Sequence, residues 1–287
     1  MTAVATAAPE HQTPVSRRAR PRRRRWTRYV LPAYSWLIIA YLVFPIAVMI
    51  LYSFNRVTTG LPQVSFAWSG ATTHWYHEWS SIPQLTSAFW LSVRLALAAT
   101  VLSTVIGTLL ALALVRYRPP QLRGKAFLEQ VLFLNIAAPE IVLGASLLGL
   151  FVTLNVARGF MTLLFAHVAF SIAYVAITVR ARMSGFDRAL EEAAADLGAN
   201  SWTTFRKITL PIIMPGIMAG ALMAFALSID DFVTSNFVSG AATPFPVWVY
   251  GATRIGIPPQ VFVFGSAIFG VGILCAIASI VLSRRKV

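Results

Sequence analysis

The sequence predicts an all-α integral membrane protein with six transmembrane helices, and three observations predict it. Of the 287 residues 57% are apolar and only 12% are charged, against about 25% charged in an ordinary soluble domain. Six separate runs are long and apolar enough to cross a hydrocarbon core of about 30 Å, which takes about 20 residues of helix. None of them alternates with the period of two that marks a barrel strand, and a helix is the other way to satisfy every backbone group in lipid.

Residues 1–28 form a basic tail of Ala, Pro, Thr and Arg with eight arginines, including RRRR at 22–25. It has no periodic apolar face and reads as disordered. The first run, Tyr29–Phe54, is longer than the apolar core of a cleaved signal. It shows no convincing small-residue cleavage site and reads as a retained helix. The loop Asn55–Phe89 holds Trp68, Trp75 and Trp79, with Trp90 just beyond it. These aromatics suit a membrane interface or a short helix lying along it.

The second run is Ala88–Val115 and contains Arg94; the third is Ala126–Leu154. A tight turn, Asn155–Phe160, leads to the fourth, Met161–Val179. The polar segment Arg180–Pro211 precedes the fifth run, Ile212–Ile229. Asp230–Pro259 is rich in Gly, Pro, Ser and Thr yet keeps aromatics. It reads as a re-entrant or half-helical segment, which is allowed only where it lines a cavity or is covered by protein. The sixth run is Val261–Ser283. No internal repeat and no second soluble domain is visible, so residues 29–287 read as one transmembrane domain.

Lys and Arg set the direction of insertion. The tail carries eight, the loop RYRPPQLRGK four, Arg180–Pro211 five and the final RRK three, all on one side; the opposite loops hold only Arg56, Arg158 and Arg254. Both termini are therefore expected in the cytoplasm, with the protein in the bacterial cytoplasmic (inner) membrane. The net charge of +14 is then a collar facing anionic lipid head groups rather than a nucleic-acid site. The single cysteine, Cys275, excludes an internal disulfide and a thiolate cluster. The four histidines contain no His-x-x-x-His pair, so no metal site is expected. A phosphate-cradling loop needs Gly-x-x-x-x-Gly-Lys-Ser/Thr. The one Gly-Lys, Gly124-Lys125, lacks both the upstream glycine and the hydroxyl, so this chain is not expected to hydrolyse ATP.

The polar segment before the fifth run has internal logic. Asp187 suits a helix N-cap. Leu190, Ala193, Ala194 and Leu197 fall on one helical face. Gly198 suits a left-handed stop, Ser201 a second cap, and Pro211 ends the local register before the membrane. The product is a helical hairpin with small residues on its contact face and with Glu191, Glu192 and Asp196 available to a soluble partner. Its acidic centre argues against a resting place on anionic lipid.

Glu192-Ala193-Ala194, three residues, Gly198, nine residues, then Ile208-x-Leu210-Pro211 resembles the signature of binding-protein-dependent permease subunits of bacterial ABC importers. The resemblance implies a type I importer permease fold in which this segment, between spans four and five, is the coupling helix that inserts into an ATPase subunit. Glu192, Ala193, Ala194, Asp196, Gly198, Ile208, Leu210 and Pro211 would form that joint. It further implies a second six-span permease, an ATPase dimer that binds the ATP and Mg, and an external binding protein, with no cofactor in this chain. The stretches RYR…RGK (116–125), PEIVLGASLL (139–148), SGFDRALEEAAADLGA and LSIDDFVTSNFVSG (227–240) are most similar to the spermidine/putrescine permeases, from about Ser92 onward. Arg94 is not expected from that family.

Charged groups inside a membrane cost about 2.5–3.5 kcal/mol at a helix centre on the translocon scale, so the acids there need reasons. Glu129, one turn into span three, reads as interfacial and structural. Glu140 follows Pro139, which removes an N–H and kinks a helix. It either lines a pathway or pairs with Arg94. Asp230 and Asp231, at the outer end of span five, either cap a helix or line a pathway. With Tyr250 and Trp248 they suit an amine cation, whose charge carboxylates offset and aromatic faces attract. The expected function is ATP-driven polyamine import by alternating access. The alternatives are an importer for thiamine, iron or phosphonate, and a stand-alone secondary transporter, which would leave the hairpin without a purpose.

Overall fold

The structure, a computed structural model, describes residues 27–56, 68–117 and 124–284. The expectations for the basic tail before residue 27, for the basic residues within 118–123 and for 285–287 fall outside these. Among the described residues the regular structure is helical, apart from one isolated bridge between Asn55 and Ala71. The chain divides between Val48 and Met49, inside helix α1, Thr27–Tyr52, which is apolar along its length and carries Pro32 and Pro45. The part up to Val48 is represented by that helix.

In the second part the helices follow in order: α2 (His74–His77), α3 (Pro83–Arg116), α4 (Lys125–Ala137), α5 (Glu140–Thr153), α6 (Phe160–Met183), α7 (Ala189–Asp196) and α8 (Ser201–Thr204). A π-helical turn (Phe205–Thr209) then leads to α9 (Leu210–Asp230), α10 (Val233–Val238), α11 (Phe245–Ala252) and α12 (Gln260–Arg284). By length and composition four stretches qualify as spans: Tyr29–Tyr52, Pro83–Arg116, Phe160–Met183 and Ser201–Asp230. A fifth is reached when the pair α4–α5, bent by 111°, is counted as one span. In α12 the apolar stretch Gln260–Leu274 is by itself shorter than a span.

The expectation of one continuous third helix over Ala126–Leu154 is thus corrected. Pro139 does more than kink it. Proline disfavours helical geometry in the residue before it, and Ala138 is extended at ψ 138°. The helix stops at Ala137 and a new one starts at Glu140.

Three helices make the centre. Ala111 and Leu112 of α3, Val175, Val179 and Met183 of α6, and Ile213 and Ala224 of α9 are buried together. Small residues set how closely these helices approach. A Cβ on Gly107 of α3 would lie 2.8 Å from Val175 Cβ, and one on Gly220 of α9 would lie 3.3 Å from Val175 Cα. In lipid, where apolar surface gains little by association, such close backbone packing is a main source of helix–helix affinity.

Around this centre, Leu95, Phe151, Leu163, Ala166 and Val238 join α3, α5, α6 and α10. Leu85, Phe245, Val261 and Phe264 join the start of α3 to α11 and α12. Leu114, Leu132, Ala173 and Ala176 tie in α4. The segment expected to be half-helical, Asp230–Pro259, forms the two short helices α10 and α11.

Candidate functional site

Two regions contain the residues singled out by sequence. The first is the hairpin α7–α8. Asp187 Oδ1 accepts the Ala189 N–H at 2.9 Å, so it caps the start of α7. Gly198 sits at φ +82°. Its N–H donates to Ala195 O, and the Ala199 N–H donates to Ala194 O, both at 2.9 Å. This is a Schellman stop, which a left-handed glycine makes without steric penalty.

The second cap is Asn200 rather than Ser201: its Oδ1 accepts the Thr203 N–H at 2.8 Å. The carboxamide one residue earlier reaches the free N–H that the serine, already inside the helix, cannot. Pro211 does not end the helix, although the turn before it shifts the register. Helix runs on from Ser201 to Asp230, because the turn before the proline widens. The Leu210 N–H reaches back five residues to Phe205 O, which relieves the clash a proline ring makes with the carbonyl four residues before it.

The apolar face expected over Leu190, Ala193, Ala194 and Leu197 is divided. Ala194 is buried, whereas Leu190 is 48% and Leu197 90% exposed. Ala193, Glu192 and Asp196 are exposed with them. Ile208 and Leu210 are half-buried at the membrane end and Pro211 is exposed. Glu191 departs from expectation. It turns inward, and its Oε1 accepts from both Arg116 of α3 and the hydroxyl of Thr209. Arg188 Nη2 donates to Val115 O at 3.1 Å.

The second region is a cavity of about 510 Å³ at the break between α4 and α5. Asn135, Glu140, Phe170, Tyr174, Asp230, Asp231, Phe232 and Thr234 are among its lining. Each element delivers its residue for a local reason. Pro139 starts α5, so Glu140 lies in the first turn, where the helix dipole favours an anion. Phe170 and Tyr174 are one turn apart on α6, and Asp230 is the last residue of α9. Asn135 Nδ2 donates to Ala169 O at 3.3 Å while its Oδ1 has no partner.

The neighbouring aspartates differ. Asp231 is committed to its surroundings: Oδ2 accepts the Ser235 N–H at 2.7 Å and Oδ1 the Thr234 N–H at 3.3 Å, capping α10. Asp231 Oδ2 is also 3.5 Å from His167 Nε2. His167, fully buried, spans Ser228 at 2.7 Å and Ser235 at 3.0 Å, which joins α6, α9 and α10 through one imidazole. Asp230 does not cap α10 and is exposed.

Tyr250 and Trp248 are not part of this cavity, but Tyr250 lines a second one of about 400 Å³ together with Asp230 and Phe232. Tyr250 lies against Phe232, ring centroids 4.6 Å apart, and the Arg254 guanidinium is 5.3 Å from its ring. Trp248 packs with Phe245 and Phe264. Glu140 and Arg94 do not pair, and neither makes an ion pair among the described residues. Arg94 and Arg116 are about 33 Å apart along α3 at 1.5 Å per residue. The two charges therefore fit opposite head-group levels of a core about 30 Å thick. Glu129 pairs with Arg180 at 2.9 Å.

Phe170, Tyr174, Asn135, Arg116 and Thr209 are not singled out by sequence as site residues, and Glu191 is expected there to face a soluble partner rather than Arg116 and Thr209. The four-residue spacing of Phe170 and Tyr174 puts them on one face, but nothing in the sequence says that the face meets the break at Pro139.

Residues 103–287 match the family described as "binding-protein-dependent transport system inner membrane component". The chain is 39% identical over 250 residues to the spermidine/putrescine transport system permease protein PotC of Escherichia coli (strain K12), covering 87% of this chain and 92% of that one. It is 38% identical over 254 residues to the putrescine transport system permease protein PotI of the same organism, covering 86% and 88%. Among solved structures, a bacterial ABC transporter involved in import of the acidic polysaccharide alginate superposes with a TM-score of 0.63 at 16% identity, covering 91% of this chain and 96% of that one.

Proposed function

Because the chain belongs to the family of binding-protein-dependent transport system inner membrane components, we propose that it is the permease subunit of an ATP-driven ABC importer for polyamines, spermidine or putrescine. The observation that carries the reading is the likeness to polyamine permeases along most of the chain. The cavity supports it. Glu140 and Asp230 offer negative charge, Asn135 Oδ1 a free acceptor, and Phe170, Tyr174 and Phe232 aromatic surface. That set suits a ligand with several ammonium groups and apolar methylenes between them.

In this reading α1, α3, the bent pair α4–α5, α6, α9 and α12 make six crossings, with both termini in the cytoplasm. The hairpin α7–α8 is the coupling helix. Its exposed Glu192, Ala193, Asp196 and Leu197 meet an ATPase subunit, while Gly198 keeps the bend. ATP and Mg are held by a dimer of those subunits, and a second permease completes the pore. An external binding protein delivers the cargo. ATPase closure moves α7 and, through it, α3 and α9, so that the cavity opens alternately to each side. Nucleotide drives the change only through its different affinity for the two states.

Purification from membranes is expected to bring down an ATPase subunit and a second permease. Uptake of labelled spermidine by the reconstituted assembly is expected to need both ATP and the binding protein. Glu192→Ala and Gly198→Ala are expected to insert normally and to transport poorly. The glycine has open space around it, so its substitution acts through the left-handed backbone alone, a cost of about 1–2 kcal/mol. Spermidine uptake by this chain alone without ATP would overturn the reading.

A further inference from the structure

Resting on the reading of α7 as the element that docks the ATPase, we propose that Glu191 is the positioning residue through which movement of α7 reaches α3 and α9 together. Within the hairpin α8 runs on into α9 as one helix, whereas α7 is held by side chains. Ala194 is buried beneath it, Arg188 reaches the carbonyl of Val115, and Glu191 makes a further contact. Oε1 of Glu191 is shared. Arg116, the last residue of α3, donates to it, and so does the hydroxyl of Thr209. Arg116 Nη2 also lies 3.2 Å from Thr209 Oγ1, so the three side chains close a ring in which every polar atom named has a partner.

The surroundings favour a firm link. Thr209 is fully buried, and the Glu191 side chain is 24% exposed and that of Arg116 37%. Charge-assisted hydrogen bonds of this kind are shorter and stronger than neutral ones. Thr209 is also the last residue of the π-helical turn that leads into α9. Beside the continuous run of α8 into α9 and the Arg188–Val115 bond, one carboxylate oxygen on α7 thus links the end of one membrane helix to the start of another. Glu192, one residue on, is exposed and free to meet a partner. The two adjacent glutamates divide the work: one faces the motor, one holds the lever.

The test uses the complete transporter in liposomes, with spermidine uptake and ATP hydrolysis measured on one preparation. Thr209→Val keeps volume and removes the hydroxyl. Glu191→Gln keeps shape and removes the charge. Both are expected to bind the ATPase subunit and hydrolyse ATP, while uptake per ATP falls about tenfold, the scale of one lost charge-assisted bond. Arg116→Glu combined with Glu191→Arg is expected to recover uptake relative to Arg116→Glu alone. Wild-type uptake per ATP in both Thr209→Val and Glu191→Gln would overturn the proposal. So would loss of ATPase-subunit binding in Glu191→Gln, which would put Glu191 in the docking surface instead. A wild-type chain that binds no ATPase subunit would sink the importer reading, an outcome separate from these.

Discussion

Gly107→Ala tests how the three central helices are held. The new methyl would sit 2.8 Å from Cβ and Cγ1 of Val175 and 3.0 Å from Ile172 O. Carbon atoms in contact normally stay about 3.5–4.0 Å apart, so the overlap with Val175 approaches 1 Å. The obstructing Cβ is attached to the α6 backbone and cannot swing aside. Gly220 closes on Val175 as well, with a Cβ there 3.3 Å from both its Cα and Cγ1. Overpacking of this size costs about 1–3 kcal/mol. Alanine's better helix propensity returns about 1 kcal/mol, which blurs the single mutant. A cycle with Val175→Gly, which removes the obstructing Cβ, removes the ambiguity, since the propensity gain at position 107 is the same in both backgrounds. Gly107→Ala is expected to be worse in the wild-type background than in Val175→Gly by about 1–3 kcal/mol. Denaturant unfolding in detergent micelles, followed by helical circular dichroism, reads the difference. Equal effects in the two backgrounds would refute the argument that the Gly107–Val175 contact sets the spacing of α3 and α6.

Asp230→Asn is expected to raise the spermidine concentration needed for half-maximal uptake by about tenfold or more, the value of one ammonium–carboxylate hydrogen bond. Asp231→Asn, whose oxygens serve α10, should instead lower the yield of folded protein, and the reverse pattern would refute the division between them. His167→Ala leaves Ser228, Ser235 and Asp231 short of a partner inside the protein. At about 1–3 kcal/mol for a buried group left unsatisfied, the melting temperature in detergent should fall clearly. An unchanged melting temperature would show that the imidazole is not the hub joining α6, α9 and α10.

Much of this was legible in the sequence for simple reasons. Apolar length marks the long helices α1, α3, α6 and α9, because lipid imposes the same requirement on each. Gly198 and Asp187 were legible because helix ends obey local rules. The division of Asp230 from Asp231 was not. Adjacent residues share a sequence context, and only the start of α10 decides which carboxylate is used as a cap. Asn200 was passed over for Ser201 because both are good caps and one residue of register separates them. Proximity along the chain suggests Tyr250 beside Asp230, and the two do line one cavity with Phe232; the cavity at the helix break adds Phe170 and Tyr174 of α6, some sixty residues earlier, which proximity does not suggest. Glu191 was assigned to the outer face with Glu192. Its partner Arg116 lies 75 positions away, and such pairings are invisible to periodicity.

The widened turn before Pro211 holds one residue more than an ordinary helix would use there. Each residue of an α-helix advances the winding by about 100°, so that one residue offsets the phase of everything beyond it relative to α7 and α8. The compass bearing of Asp230, at the far end of α9, is therefore set in part by a proline nineteen residues upstream. The Asp230 carboxylate at one end of this helix and the hairpin at the other are thus keyed to each other by rotation.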